Sequence, residues 1–348
     1  MTLIFVTGAN GHIGSNTVRS LLRRGYEVVP FVRSTSDLRG IEKLGLTYRF
    51  GDIRDYPSLL TAIDGCEAII HHATVYRMWA KNPDDILQPA LEGTRNIFKA
   101  AKEAGIGRMI YTSSMAAVGY LRRPVGLQTE ADWNEHAKSP YYIAKTKSER
   151  EALRLSEEYD IPTIRLCPTL VTGPYDYRIT PSTKGIIDFI NKTGTTYEAG
   201  TNYVHAYDVG EVHAMALEKG QPDARYIVGG DNVHLKEVSA LITKLTGVKP
   251  GHLGITGPVA ELVGSVAGFA SKITGSEPPF DRNIIHDVVG WYGYFDCSLT
   301  NRTFGISPRG AEEVIKDTIR WLLFLGKIKS EVAKQISSTF PPDPDWQA

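Results

Sequence analysis

The sequence predicts an α/β chain: a doubly wound parallel sheet with helices on both faces, followed by a smaller C-terminal lobe. Three observations lead there. Short apolar runs alternate with helical periodicity through the first half, and a glycine-rich turn separates the first run from the first helical segment. The alternation then breaks near residue 170, where Pro168, Gly173, Pro174, Pro181 and Gly185 punctuate the chain.

Each element follows in order. Residues 3–6, 27–32, 47–50, 68–71, 108–112 and 162–166 read as strands, rich in the Val, Ile and Phe that strands buried on both faces require. Helical patterns fill the gaps. Gly25 and Gly105 stand where a helix ends on a left-handed residue. Further helical patterns at 209–218, 235–246 and 310–325 belong to the later region, which is expected to cover the carboxyl edge of the sheet.

Bulk properties bound the function. A chain of 348 residues exceeds a single core, and 42% hydrophobic with 22% charged residues is ordinary globular composition. Lys+Arg and Asp+Glu both number 39, so no global field recruits nucleic acid or an anionic membrane. The amino terminus lacks a signal-peptide pattern, which makes the cytoplasm the expected compartment. Cys66, Cys167 and Cys297 are far apart, with no Cys-x-x-Cys spacing, so neither a disulfide framework nor a metal site is expected. The glycosylation patterns at Asn191 and Asn301 are read as coincidental without a secretory signal. Segment 253–273 has Glu261 and Lys272 as its only charges, and Gly254, Gly257 and Pro258 leave it too short to span a bilayer. It reads as a buried amphipathic helix, with a peripheral membrane contact or a lid over an apolar substrate as alternatives. The assembly stays open, a homodimer among the candidates.

The turn Thr7-Gly8-Ala9-Asn10-Gly11-His12-Ile13-Gly14 lies between the first strand and the first helix. Glycines there let backbone approach a pyrophosphate, and the helix N-terminus offers N–H groups and a positive dipole end to that anion. This is a Rossmann-type arrangement. Residues 1–168 therefore read as a dinucleotide-binding domain, to which 203–230 return, and 169–328 mainly as a substrate lobe. The polar, proline-rich 329–348 reads as a disordered tail. The second strand ends at Arg33 rather than at an acid, favouring the extra 2′-phosphate of NADP(H), with NAD(H) as the alternative. Asp37, the rival acid, is expected to cap the following helix, and Asp52 is placed to contact adenine.

Tyr141 and Lys145 lie four apart on an expected helix and share one face. A phenol of pKa about 10 moves protons poorly at neutral pH. A neighbouring ammonium favours the phenolate and lowers that value by about 1–3 units. Thr112-Ser113-Ser114, about 27 residues upstream, ends the fifth strand at the edge where ligands sit in open α/β sheets. Strand alternation turns only one of Ser113 and Ser114 inward.

These landmarks, with GDIRD, HHAT, YTSSMAAVG, LCPTLVTGP and NYVHAYDVGE in the same order, resemble the extended short-chain dehydrogenase/reductases of the NAD(P)-dependent epimerase/dehydratase superfamily. The likeness is nearest to dihydroflavonol 4-reductase-like and 3β-hydroxysteroid dehydrogenase-like members, and HHATVYRMWAKNPDD also resembles hopanoid-associated sugar epimerases. The resemblance implies Tyr141 as catalytic acid/base, Lys145 as its helper and Ser114, rather than Ser113, as second hydrogen-bond donor. It implies cofactor contacts from Thr7, Gly8, Asn10, Gly11, His12, Ile13, Gly14, Arg33, Asp52, Ile53, His72, Ala73, Thr74, Tyr141, Lys145, Pro168, Thr169 and Leu170. Where relatives often carry Asn-Val-x-Gly-Thr, this chain reads Ala90-Leu91-Glu92-Gly93-Thr94, so one amide near the site is lost; Asn96 is expected to hold backbone beside the fifth strand. His71 and His72 point to opposite faces and shape the loop under the ribose, and His205 and Asp208 tie the lobes together.

Tyr76, Trp79, Met115 and Tyr175 are the expected substrate contacts. With Met78, Tyr177 and Tyr203 they suggest an apolar or aromatic substrate. The chain is thus expected to be an NADP(H)-dependent carbonyl reductase or alcohol dehydrogenase. An NAD-dependent sugar-nucleotide epimerase/dehydratase is the nearest rival and a catalytically silent nicotinamide sensor the second. An eroded triad would mark the sensor, and this triad is intact.

Overall fold

The computed structural model describes residues 2–74, 77–252, 282–341, 343 and 346. Seven strands form one all-parallel sheet: β1 (Leu3–Thr7), β2 (Glu27–Val32), β3 (Arg49–Phe50), β4 (Ala68–His71), β5 (Arg108–Thr112), β6 (Thr163–Pro168) and, later in the chain, β10 (Arg225–Val228). Their spatial order is β10-β6-β5-β4-β1-β2-β3. The order reverses between β1 and β4, where a crevice opens at the carboxyl ends of the strands.

Alternation along each strand feeds two cores. Ile4, Val6, Val28, Ile70, Ile110 and Ile164 face the layer of α1 (His12–Arg23) and α7 (Ala206–Lys219). Phe5, Val29, Phe31, Ile69 and Met109 face α2 (Tyr56–Ile63), α3 (Asp84–Glu103) and α5 (Pro140–Tyr159). Helix α1 stops before Gly25 (φ +80°) and α3 before Gly105 (φ +68°), the left-handed positions expected of them. Strand β3 is shorter than the expected 47–50, because at the sheet edge it pairs only with β2, through two residues.

After β6 the chain forms β7 (Leu170–Thr172), α6 (Pro181–Ile190), β8 (Thr195–Thr196) and β9 (Gly200–His205), then returns through α7 and β10 to the main sheet. Next come β11 (Asp231–His234), α8 (Leu235–Thr246) and β12 (Gly251–His252). Strands β7, β9 and β11 make a second, three-stranded sheet. It shares a core with α6, α8 and helix Ala311–Phe324, through Ile186, Ile190, Tyr203, Val238 and Ile315.

The expected disordered tail is corrected at its start. Ser330–Ile336 is helical, and Ile336 and Phe340 are buried in the second core. Val332, Ile336 and Phe340 recur every four residues, a stripe that average composition conceals. Segment 253–273 lies outside the described residues. Among the described residues no helix is long and apolar enough to cross a membrane.

Candidate active site

The glycine turn is built by close approach. Gly8 adopts φ +65°, and a Cβ there would sit 2.9 Å from the Ala73 amide nitrogen. A Cβ on Gly14 would fall 2.2 Å from the Gly8 carbonyl oxygen, which only glycine tolerates. Thr7 lies beneath the turn, its hydroxyl 2.8 Å from His71 Nδ1 and accepting from the Ala73 amide. The first turn of α1 holds no acidic residue, leaving the dipole end uncompensated by a carboxylate. A cradle of bare backbone at a helix N-terminus fits a dinucleotide pyrophosphate.

Arg33 is exposed at the carboxyl end of β2 and lines the cleft, as do Ser36 and Arg54. The expected cap at Asp37 is corrected. Its carboxylate takes a forked contact from Arg39 at 3.0 and 2.6 Å, which holds it below the usual carboxylate range, and the next helical turn begins only at Glu42. Asp52, at the end of β3, is held low the same way by Arg54 at 3.0 and 2.9 Å. Asn96 is also corrected. Its amide donates to the Ile53 and Arg54 carbonyls and so secures the loop after β3, not β5.

Ser139 and Pro140 start α5, and Pro at its first position suits the helix. Tyr141 therefore falls in the first turn and Lys145 one turn later; both are buried and both line the cleft. The two serines have different surroundings, though both line the cleft. Ser113 is buried and donates to Glu149 at 2.6 Å, whereas Ser114 caps the short helix α4 (Met115–Val118) and stays partly open on the cleft. Burial pushes the Lys145 ammonium down to about 8, opposed by Cys167 and Glu149. Below it, Thr112 joins His72 (2.8 Å) to His213 (2.9 Å). Burial pushes His71 down to about 3 and His213 to about 4, so these rings are neutral at physiological pH. They shape the floor and carry no charge.

The cleft has a volume of about 900 Å³ and is lined by residues between Gly8 and Ser182. Pro168, Thr169, Leu170, Met115 and Tyr175 line it, together with Asn10, Gly11, His12, Ile13, Ile53 and Thr74. Tyr175 adopts φ +69°, a costly backbone for a tyrosine, and its ring is held between Arg19 (3.6 Å) and Trp321 (5.5 Å). Two aromatic expectations are corrected. Tyr203 is buried in the second core because β9 is covered on both faces, and Trp79 is half-buried outside the cleft lining. Tyr76 lies outside the described residues. Asp208 of α7 pairs with Arg309, just before helix Ala311–Phe324, and so links the two layers, whereas His205 is corrected: it lies 3.5 Å from Asp317 within the second unit. Tyr120, Tyr142 and Arg54 line the cleft without having been singled out. Arg54 was visible as the residue after Gly51-Asp52-Ile53.

A parallel sheet with a glycine cradle at its switch point, and a Tyr, Lys and Ser converging on the same cleft, defines an NAD(P)-dependent oxidoreductase acting on alcohol or carbonyl groups. The model of the NAD dependent epimerase/dehydratase family matches residues 4–229, and the chain belongs to that family, within the extended short-chain dehydrogenase/reductases. It is 29% identical over 260 residues to the dihydroflavonol 4-reductase of Callistephus chinensis, covering 69% of this chain and 71% of that one. The crystal structure of gox2253 superposes with a TM-score of 0.83 at 32% identity, covering 94% of this chain and all of that one. Yeast methylglyoxal/isovaleraldehyde reductase Gre2, complexed with NADPH, superposes with a TM-score of 0.74 at 20% identity, covering 94% and 100%.

Proposed function

We propose that the chain is an NADP(H)-dependent carbonyl reductase or alcohol dehydrogenase acting on a hydrophobic ketone or secondary alcohol, with Tyr141 as acid/base. The observation that carries this reading is the joint presence of Ser114, Tyr141 and Lys145 on the cleft that the glycine cradle and Arg33 also line. The family is NAD(P)-dependent, and the similarity to a dihydroflavonol 4-reductase and to an NADPH-bound aldehyde reductase supports the reductive direction.

The bare backbone from Gly8 to Gly14 would hold the pyrophosphate, Arg33 the 2′-phosphate, and Pro168, Thr169 and Leu170 the nicotinamide end. When bound, the nicotinamide supplies or accepts the hydride. The chain's own groups do the rest. Ser114 and Tyr141 donate hydrogen bonds to the substrate oxygen as negative charge develops there, and Tyr141 passes its phenolic proton to that oxygen. Lys145, buried one turn away, stabilises the phenolate left behind. Met78, Met115, Tyr120 and Leu170 line the cleft and give an apolar substrate a surface to cover.

A sugar-nucleotide epimerase uses the same three groups, and exposed Arg77 and Arg178 on the cleft favour that second reading, since either could pair with a diphosphate. Arg225 cannot, because Glu149 already holds it. Purified chain with NADPH and matched ketones of increasing apolar surface separates the two. Net NADPH oxidation with kcat/KM rising along the series is expected. Tightly retained NAD with sugar-nucleotide turnover and no net oxidation overturns the reductase.

Cofactor choice has its own test. Arg33→Asp is expected to weaken NADPH binding by about 1.5–3 kcal/mol, the worth of a charge-assisted contact, and NADH binding far less. Titration of both dinucleotides reads the difference. Equal losses would remove Arg33 as the reader of the phosphate.

A further inference from the structure

Glu149 lies on α5, one turn beyond Lys145, and its side chain is wholly buried. Side chains from two strands, and from the loop after a third, converge on the carboxylate. Ser113, from the loop that ends β5, donates to Oε2 at 2.6 Å. Arg225 of β10 donates from Nε at 2.7 Å and from Nη2 at 2.9 Å. The Cys167 thiol of β6 lies 3.8 Å away, as does Nη1 of Arg165 on the same strand. Burying so many polar groups is a poor route to stability, since apolar residues of similar volume do as well or better. The reason for the cluster therefore lies in its position. Ser113 is bonded to Ser114, and Glu149 stands directly under Lys145 on the helix.

We propose that Glu149 is a positioning residue for the hydride-transfer site, fixing the Ser113–Ser114 backbone through its hydrogen bond and placing a buried negative charge beside Lys145. This rests on the reductase reading above. The groups facing Lys145 are Tyr141 and Glu149 on its own helix, Cys167 on β6, and His71 and His72 at the end of β4; Asp85 of α3 is exposed on the cleft wall. Burial pushes the Cys167 thiol up to about 12 and His71 down to about 3, with His72 also pushed down, so those groups are neutral across the working range. Glu149, its carboxylate forked by Arg225, offsets part of the desolvation of the Lys145 ammonium. Arg225 and Arg165 in turn balance Glu149 from the far side.

The sign follows. Burial has already lowered Lys145 to about 8, and removing the anion lowers it further. The ammonium is then lost at a lower pH, and the alkaline limb of the reductive pH–rate profile moves down.

The test uses the full chain, with Ser113→Ala, Ser113→Thr and Glu149→Gln beside the wild type. NADPH affinity is read by fluorescence, and kcat and KM are read for one ketone from about pH 6 to 10. Ser113→Ala is expected to lower kcat by about tenfold, with KM and NADPH affinity within about twofold, as for a small displacement of a group that acts in the transition state. Ser113→Thr, which keeps the hydroxyl, is expected to recover most of the loss. Glu149→Gln is expected to lower kcat and shift the alkaline limb to lower pH. Variants that fold and keep both kcat and the alkaline limb of the wild type overturn the proposal. If Glu149→Gln fails to fold, the serine pair decides alone, and Ser113→Ala with wild-type kcat overturns it. A wild type that binds NADPH but reduces no carbonyl overturns the reductase reading and this inference with it; an active wild type with unaltered variants overturns this inference only.

Discussion

Tyr141→Phe is expected to reduce turnover by about 10²–10⁴-fold, the usual worth of general acid catalysis, while NADPH affinity changes little. The substitution removes one oxygen and its proton. The ring remains in place against Tyr142, whose centroid is 5.6 Å away, so packing at the start of α5 is preserved. Substrate KM should hold as well, because the lost hydrogen bond strengthens mainly as the oxyanion develops. Single-turnover reduction of a bound ketone by NADPH measures the step directly. Near-normal rates in the variant would remove Tyr141 from the chemistry and leave Ser114 or water as the proton source.

The largest expected effect on stability comes from Arg225→Ala. The guanidinium forks onto Glu149 at 2.7 and 2.9 Å and also donates to the Glu130 and Asp132 carbonyls, so it clamps the 130–132 loop to α5. Its removal leaves a fully buried carboxylate with Arg165 at 3.8 Å as its remaining ion-pair contact and Lys145 one turn away. Stranding one member of a buried pair costs about 3–5 kcal/mol. Replacing both, as Glu149→Leu with Arg225→Met, should recover part of that loss, because the forked pair is removed together and only Arg165 loses its anion. Denaturant melts of the two variants decide the matter. A loss below about 1 kcal/mol for Arg225→Ala would show that water or a local shift compensates the carboxylate.

Much of the fold was legible because it is written in local patterns. The runs at 27–32, 68–71 and 108–112 are strands over the same residues, since continuous Val, Ile and Phe suit a strand covered on both faces. Helix α8 occupies the expected 235–246 because its apolar period is unbroken and Gly247, at φ +71°, ends it. Tyr141 and Lys145 were readable for the same reason: a four-residue separation puts two side chains on one face of any helix. The aromatic residues were read less well. Tyr203 and Trp79 are apolar with a polar edge, a character shared by core and pocket positions alike, and only burial by neighbouring elements separates the two. Asp37 was misjudged because Arg39, two residues on, satisfies the carboxylate that a helix N-terminus would otherwise have used.

The sequence by itself therefore determined a parallel α/β sheet, a glycine cradle after its first strand and a Tyr–Lys pair on one helix face. All three depend on residues within one or two turns of each other. The tertiary structure alone decided that Ser113 is tied to Glu149, which arginines remain available to a ligand, and what surrounds Lys145. Those outcomes depend on Glu149 meeting Arg225 across 76 residues of chain. The parallel register of β6 with β10 brings the two together, pairing Arg165 with Arg225, and no periodicity in either segment encodes which strand will be its neighbour.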